Sequence, residues 1–117
     1  MNKDYFFHLG LKTFIALDVE TTGLNIYSDK IIELSACKYI DGKLDSTFSR
    51  LINPHQKLSP FIENLTGIKS KDLINKPTFN EVSNEFREFI QDYPIVGHNI
   101  MFDLKVINQS LENKYDL

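Results

Sequence analysis

The eight residues TFIALDVE, Thr13 to Glu20, constrain this chain more than any other stretch. The run is short, apolar and supplied with Phe, Ile and Val, and Thr21-Thr22-Gly23 ends it. That length and composition read as a buried strand rather than a helix. Yet two carboxylates, Asp18 and Glu20, stand inside it. Residues i and i+2 of a strand share a face and lie roughly 6.5–7 Å apart. Burying two like charges side by side is costly unless something compensates. Either the pair sits solvated at the strand end, or it forms part of a site. The C-terminal end of a central strand is where open α/β sheets place their ligands. A divalent cation bridging the pair would remove the repulsion.

The remaining elements arrange themselves around this strand. Lys30 to Ile40 alternates, with Ile32, Leu34, Ala36 and Ile40 two apart, and predicts a second strand. Asp41-Gly42 follows, a tight hairpin signal because both central positions need φ > 0. Leu44 to Ile52 returns as a third strand, stopped by Asn53-Pro54. Ser59-Pro60 reads as an N-cap with proline in the first turn, so a short helix is expected from about Phe61 to Gly67. Thr78 and Glu81 make a capping box, and Phe79, Val82, Phe86, Phe89 and Ile90 line one face of a helix that Pro94 should break. Ile95-Val96-Gly97 is a short strand candidate. Met101 to about Glu112 is a final helix, with Leu104, Ile107 and Leu111 on one side. The order β-β-β-α-α-β-α predicts an α/β layer fold. The hairpin strands should add antiparallel to the first strand. The last strand should lie parallel to it, because a helical crossover joins them.

Asp103 falls in the first turn of that final helix, just after Gly97-His98-Asn99. An acid there is favoured by the helix dipole, so capping is its bland reading. If the short strand lies beside the first, however, both end at one edge, and Asp103 approaches Asp18 and Glu20. Three converging carboxylates make an oxygen site of the kind that Mg²⁺ or Mn²⁺ prefers.

Composition sets the outer bounds. The 117 residues, 42% hydrophobic and 25% charged, suit one ordinary domain and argue against disorder. No apolar run is long enough to span a bilayer. The lone Cys37 cannot form an internal disulfide. Met1 to Lys12 lacks the apolar core and cleavage site of a secretory signal and is taken as an N-terminal extension to a domain over residues 13–117. Cytoplasm is the expected compartment. The net charge of −3, from 13 basic and 16 acidic side chains, neither implies nor excludes a nucleic-acid partner.

These segments resemble a known family. FIALDVETTGL (14–24) is similar to the first motif of the DEDD superfamily of 3′–5′ exonucleases, and VGHNIMFDL (96–104) to its second. IIELSA (31–36), Asn53-Pro54, LTGI (65–68) and the Pro77 to Ile90 helix resemble the intervening parts of the proofreading (epsilon) subunit of bacterial DNA polymerase III. The resemblance implies a ribonuclease H-like mixed sheet. It also implies hydrolysis of the terminal phosphodiester at a single-stranded 3′ end, DNA before RNA, with release of nucleoside 5′-monophosphates. Two Mg²⁺ or Mn²⁺ ions roughly 3.5–4 Å apart would serve the chemistry. By the resemblance Asp18 and Glu20 ligate metal, Asp18 bridging both ions, and Asp103 ligates the second, partly through water. Thr21, Leu24, Asn99 and Phe102 contact substrate, with Phe102 against a base. Core packing is the competing reading for Leu24 and Phe102.

The chain departs from the family pattern at its end. The third motif, a general-base His or Tyr and a fourth carboxylate, has no match after Asp103; Glu112 and Asp116 lack the required neighbour, and Tyr115-Asp116 is adjacent rather than spaced. A missing base typically lowers a rate by about 10²–10⁴-fold. C-terminal truncation is the favoured explanation, ahead of completion by a partner chain or decay of an enzyme. An incomplete sheet of this kind should expose an apolar edge and favour a homo-oligomer. His98 is read as a structural or substrate-side residue, and His8 and His55 as surface residues. The competing function is a non-catalytic module that docks on a polymerase or helicase. A haloacid dehalogenase-type phosphatase is set aside, because it needs Asp-x-Asp and Glu20 holds the second position.

Overall fold

The computed structural model describes residues 12–111. The readings of residues 1–11, of His8, and of Glu112, Tyr115 and Asp116 lie outside them. Strand β1 spans Phe14–Thr21, β2 Ile31–Ile40, β3 Lys43–Leu51 and β4 Ile95–Val96. Helix α1 spans Pro60–Thr66, α2 Ser70–Leu73, α3 Phe79–Ile90 and α4 Ile100–Ser110. The sheet order is β3-β2-β1-β4. β1 pairs antiparallel with β2, β2 antiparallel with β3, and β1 parallel with β4, as the alternation and the helical crossover require.

Local chemistry accounts for most boundaries. Asp41 and Gly42 turn the hairpin with φ of 51° and 80°, so both central residues are left-handed, as a two-residue hairpin needs. The Ser59 side chain accepts from the Ile62 amide, Pro60 opens α1, and Gly67 closes it at φ 76°. In α3 the Thr78 and Glu81 side chains exchange the two bonds of a capping box. That helix stops at Gln91, whose φ is 45°, three residues before the Pro94 expected to break it. α2, a single turn, was not foreseen. Four residues carry too little periodicity to register.

The two faces of the sheet are covered unequally. Ile15, Leu17 and Val19 of β1 join Leu34, Ala36 and Phe48 beneath Val82, Phe86 and Ile90 of α3 and Val106 and Ile107 of α4. Phe86 packs on Phe48 with ring centroids 5.8 Å apart. On the opposite face Ile32 packs with Leu58, Ile62, Ile68 and Leu73, which seats α1 and α2 at one end of the sheet. At the other end Phe14 stacks on Tyr39, centroids 5.1 Å apart. Asp18 and Glu20 lie between these two patches, on the side that α3 leaves free.

Candidate metal and nucleic-acid cleft

The cleft exists because β4 is short. It pairs with β1 only at Ile15–Ile95 and Ala16–Val96, and the Ile15 amide bonds the Pro94 carbonyl at 2.7 Å. Beyond Ala16 the chain of β4 leaves the sheet and turns into α4. Gly97 makes that turn fit: a Cβ there would lie 2.8 Å from the Leu17 carbonyl oxygen. The turn therefore passes against β1 and delivers the first turn of α4 to the end of the strand, where β1 carries its acids.

Asp18 is exposed, though the Leu17 and Val19 that flank it are buried. Glu20 is half-buried and sits opposite Glu33 of β2. The costly burial expected for this pair is thus relieved at Asp18, which faces the cleft. Asp103 is the buried acid, at 6% exposure, because α4 presses onto the sheet. Burial, reinforced by Asp18 and Glu20, pushes its pKa up from 3.8 to about 7. A helix N-terminus should favour the ionised form, so desolvation and like charge outweigh the dipole here. Glu20 is raised as well, by burial first and then by Asp18 and Glu33. That repulsion accords with the three acids lining one cleft.

All seven residues expected at the site line a single cleft of about 610 Å³: Asp18, Glu20, Thr21, Leu24, Asn99, Phe102 and Asp103. Two smaller hollows, about 410 and 360 Å³, flank the loop at Asn53–Lys57 and contain no carboxylate. Leu24 is 87% exposed, so the core-packing reading does not hold for it. Phe102 does both things at once: it packs on the main core and lines the cleft. His98 also lines the cleft and is exposed. His55 is an exposed loop residue, as expected.

Helix α1 supplies a wall that the sequence reading missed. Phe61 and Leu65, 71% and 68% exposed, line the cleft together with Ser59, Ile62 and Thr66. Ile62 is buried and anchors the helix, while the Glu63 carboxylate accepts from the Ser70 amide at 2.7 Å. The available signal was that apolar residues at 61, 62 and 65 are too many for one buried stripe on so short a helix. From sequence alone, an apolar residue facing a cleft looks like one facing the core.

The three carboxylates form a hard-oxygen donor set suited to divalent cations. None of them takes part in an ion pair among the described residues. They do not make a closed cage: no three His, Cys, Asp or Glu side chains among the described residues stand in a ready ligating arrangement. The donor chemistry and the mutual repulsion fit a cation. The preformed geometry of a tight structural site is not present.

Comparison with known proteins bears on this cleft. The chain is 44% identical over 101 residues to the PolC-type DNA polymerase III of Staphylococcus saprophyticus and, over 100 residues, to that of Staphylococcus aureus. These cover 86% of this chain, which spans about 7% of the length of either relative. Among solved structures, exonuclease X in complex with 5′ overhanging duplex DNA superposes with a TM-score of 0.66 at 28% identity, covering 80% of this chain and 53% of that one. E. coli exonuclease I in complex with a dT13 oligonucleotide gives 0.75 at 21% identity, covering 91% and 25%. The likeness to exonuclease I shows the fold, a ribonuclease H-like mixed α/β arrangement. Residues 15–115 match the exonuclease (RNase T) family throughout, so the chain belongs to that family.

Proposed function

We propose that the cleft removes nucleotides from the 3′ end of a single DNA strand, as the 3′–5′ exonuclease part of a replicative or repair protein. The observation that carries this reading is the meeting of Asp18, Glu20 and Asp103 in one cleft whose walls are apolar and aromatic. Asp18, Glu20 and Asp103 would hold two divalent cations, Mg²⁺ or Mn²⁺. When bound, such ions supply activation of the attacking water and stabilisation of the leaving 3′ oxygen. The chain's own residues do the rest. Leu24 and Phe102, which line the same cleft as the acids, give a base apolar surface, tolerant of sequence because every base has a π face. Asn99 offers an exposed hydrogen-bonding side chain, and the Thr21 hydroxyl, which donates to the Gly23 carbonyl, can still accept. RNA is a second substrate within the same chemistry. A polymerase or helicase is the natural partner, given the PolC-type relatives. A cytoplasmic setting follows from the same relatives; among the described residues no helix is long and apolar enough to cross a membrane.

Metal linkage tests the reading. A cation that binds only the folded acid cluster raises the melting temperature in proportion to the logarithm of its concentration. Millimolar Mn²⁺ should raise it for the unaltered chain, and Asp18→Ala should abolish the rise. No rise at any concentration would favour a non-catalytic docking module instead.

A further inference from the structure

Leu24 stands at the tip of a loop, nearly all of it in solvent, where a side chain ordinarily samples many positions. This loop is tied down. The Asp29 carboxylate accepts from the Thr22 hydroxyl at 2.9 Å and from the Asn25 amide at 2.8 Å, so it grips the chain on both sides of Leu24. The Asp29 amide returns a bond to the Asn25 carbonyl at 2.8 Å. The Asn25 side chain accepts from the Tyr27 and Ser28 amides at 2.9 and 3.2 Å. At the base, the Thr22 amide bonds the Lys30 carbonyl, and the Lys30 amide bonds the Thr22 hydroxyl, each at 2.9 Å. Gly23 makes room for the grip, since a Cβ there would overlap the Asp29 carboxylate.

We propose that Asp29 is a positioning residue: its carboxylate sets the loop so that Leu24 is presented at the mouth of the cleft in one place. Asp29 does not line the cleft and touches no candidate metal ligand; it acts through Leu24. Fixing the loop beforehand removes the ordering cost that a flexible contact residue would incur on binding. The proposal rests on the nucleic-acid reading above for what Leu24 touches, but not for how the loop is held.

The test pairs two measurements. The first is affinity for a fluorescein-labelled oligothymidylate with a non-hydrolysable 3′ linkage, read by fluorescence anisotropy. Leu24→Ala and Asp29→Ala should each weaken binding by about tenfold, the low end for lost apolar contact in a pocket. The double variant should be no weaker than the worse single one, because the two substitutions remove one contact. Asp29→Asn keeps one acceptor and should fall between Asp29→Ala and the unaltered chain. The second measurement is hydrogen exchange at the Asn25 and Lys30 amides, which should accelerate in Asp29→Ala at an unchanged melting temperature. Multiplying losses, unchanged affinity in Asp29→Ala, or unchanged exchange would each overturn the proposal. If the unaltered chain binds no oligonucleotide, the exonuclease reading fails instead, and the exchange rates alone decide whether Asp29 holds the loop.

Discussion

Asp103 offers a direct measure of how much strain the acid cluster stores. Its pKa stands at about 7 against an ordinary 3.8, because burial, Asp18 and Glu20 all disfavour the charged form. Below the ordinary value both folded and unfolded chains hold the proton. Between the two values the folded chain keeps a proton that the unfolded chain has lost, so stability falls as pH rises through this window. Above about pH 7 the loss is complete and the profile flattens. The full interval corresponds to at most about 4 kcal/mol. The cleft opens to solvent, and screening brings the expected loss to about 2 kcal/mol. Asp103→Asn removes the titration and keeps the shape. Urea denaturation from about pH 4 to 8 should therefore show the unaltered chain losing about 2 kcal/mol more than the variant. At the upper end the variant should melt roughly 8 °C higher. Parallel profiles would refute the reasoning, since they would mean that Asp103 is ionised at no cost.

Two further predictions concern the scaffold. Phe86 is 1% exposed and joins α3 to the sheet through Phe48, so Phe86→Ala should cost about 4 kcal/mol in urea denaturation, and a loss below about 1 kcal/mol would contradict that role. Gly67 ends α1 at φ 76° with open space around it, so Gly67→Ala should cost about 1 kcal/mol from backbone strain alone; a neutral result by thermal melting would show that the turn relaxes.

Much of this fold could be read from residues whose chemistry acts locally. Asp41-Gly42, the Thr78–Glu81 box and Gly67 each fix a boundary through a few neighbouring atoms, and those boundaries hold to within a residue. The parallel pairing of β1 with β4 followed from crossover geometry, and with it the approach of Asp103 to the β1 acids. What sequence left open or missed depends on packing at a distance. It could not choose between a solvated strand end and a site for Asp18, which is exposed and lines the cleft where β4 has left the sheet. It placed Asp103 near the β1 acids but gave no sign that α4 would bury it there. Phe61 and Leu65 have the composition of core and the position of a rim. Helix α3 ends at Gln91 because its backbone takes a positive φ there, a choice no pattern of side chains announces.

Lys38 departs from the usual habit of lysine. It is only 9% exposed, and its ammonium sits 4.5 Å from the centre of the Phe89 ring and 4.9 Å from that of Tyr93. The open Arg50–Glu85 bridge, at 2.7 Å, belongs to the kind of surface pair that dissolved ions weaken. The Lys38 clasp, shut between aromatic faces, is shielded from those ions, and it fastens the far end of α3 to β2. Added salt thus weakens the Arg50–Glu85 attachment, leaves the Lys38 one largely untouched, and screens the repulsion among the acids. Concentrated electrolyte should therefore cost the fold less than an equal weighting of the three charge arrangements would suggest.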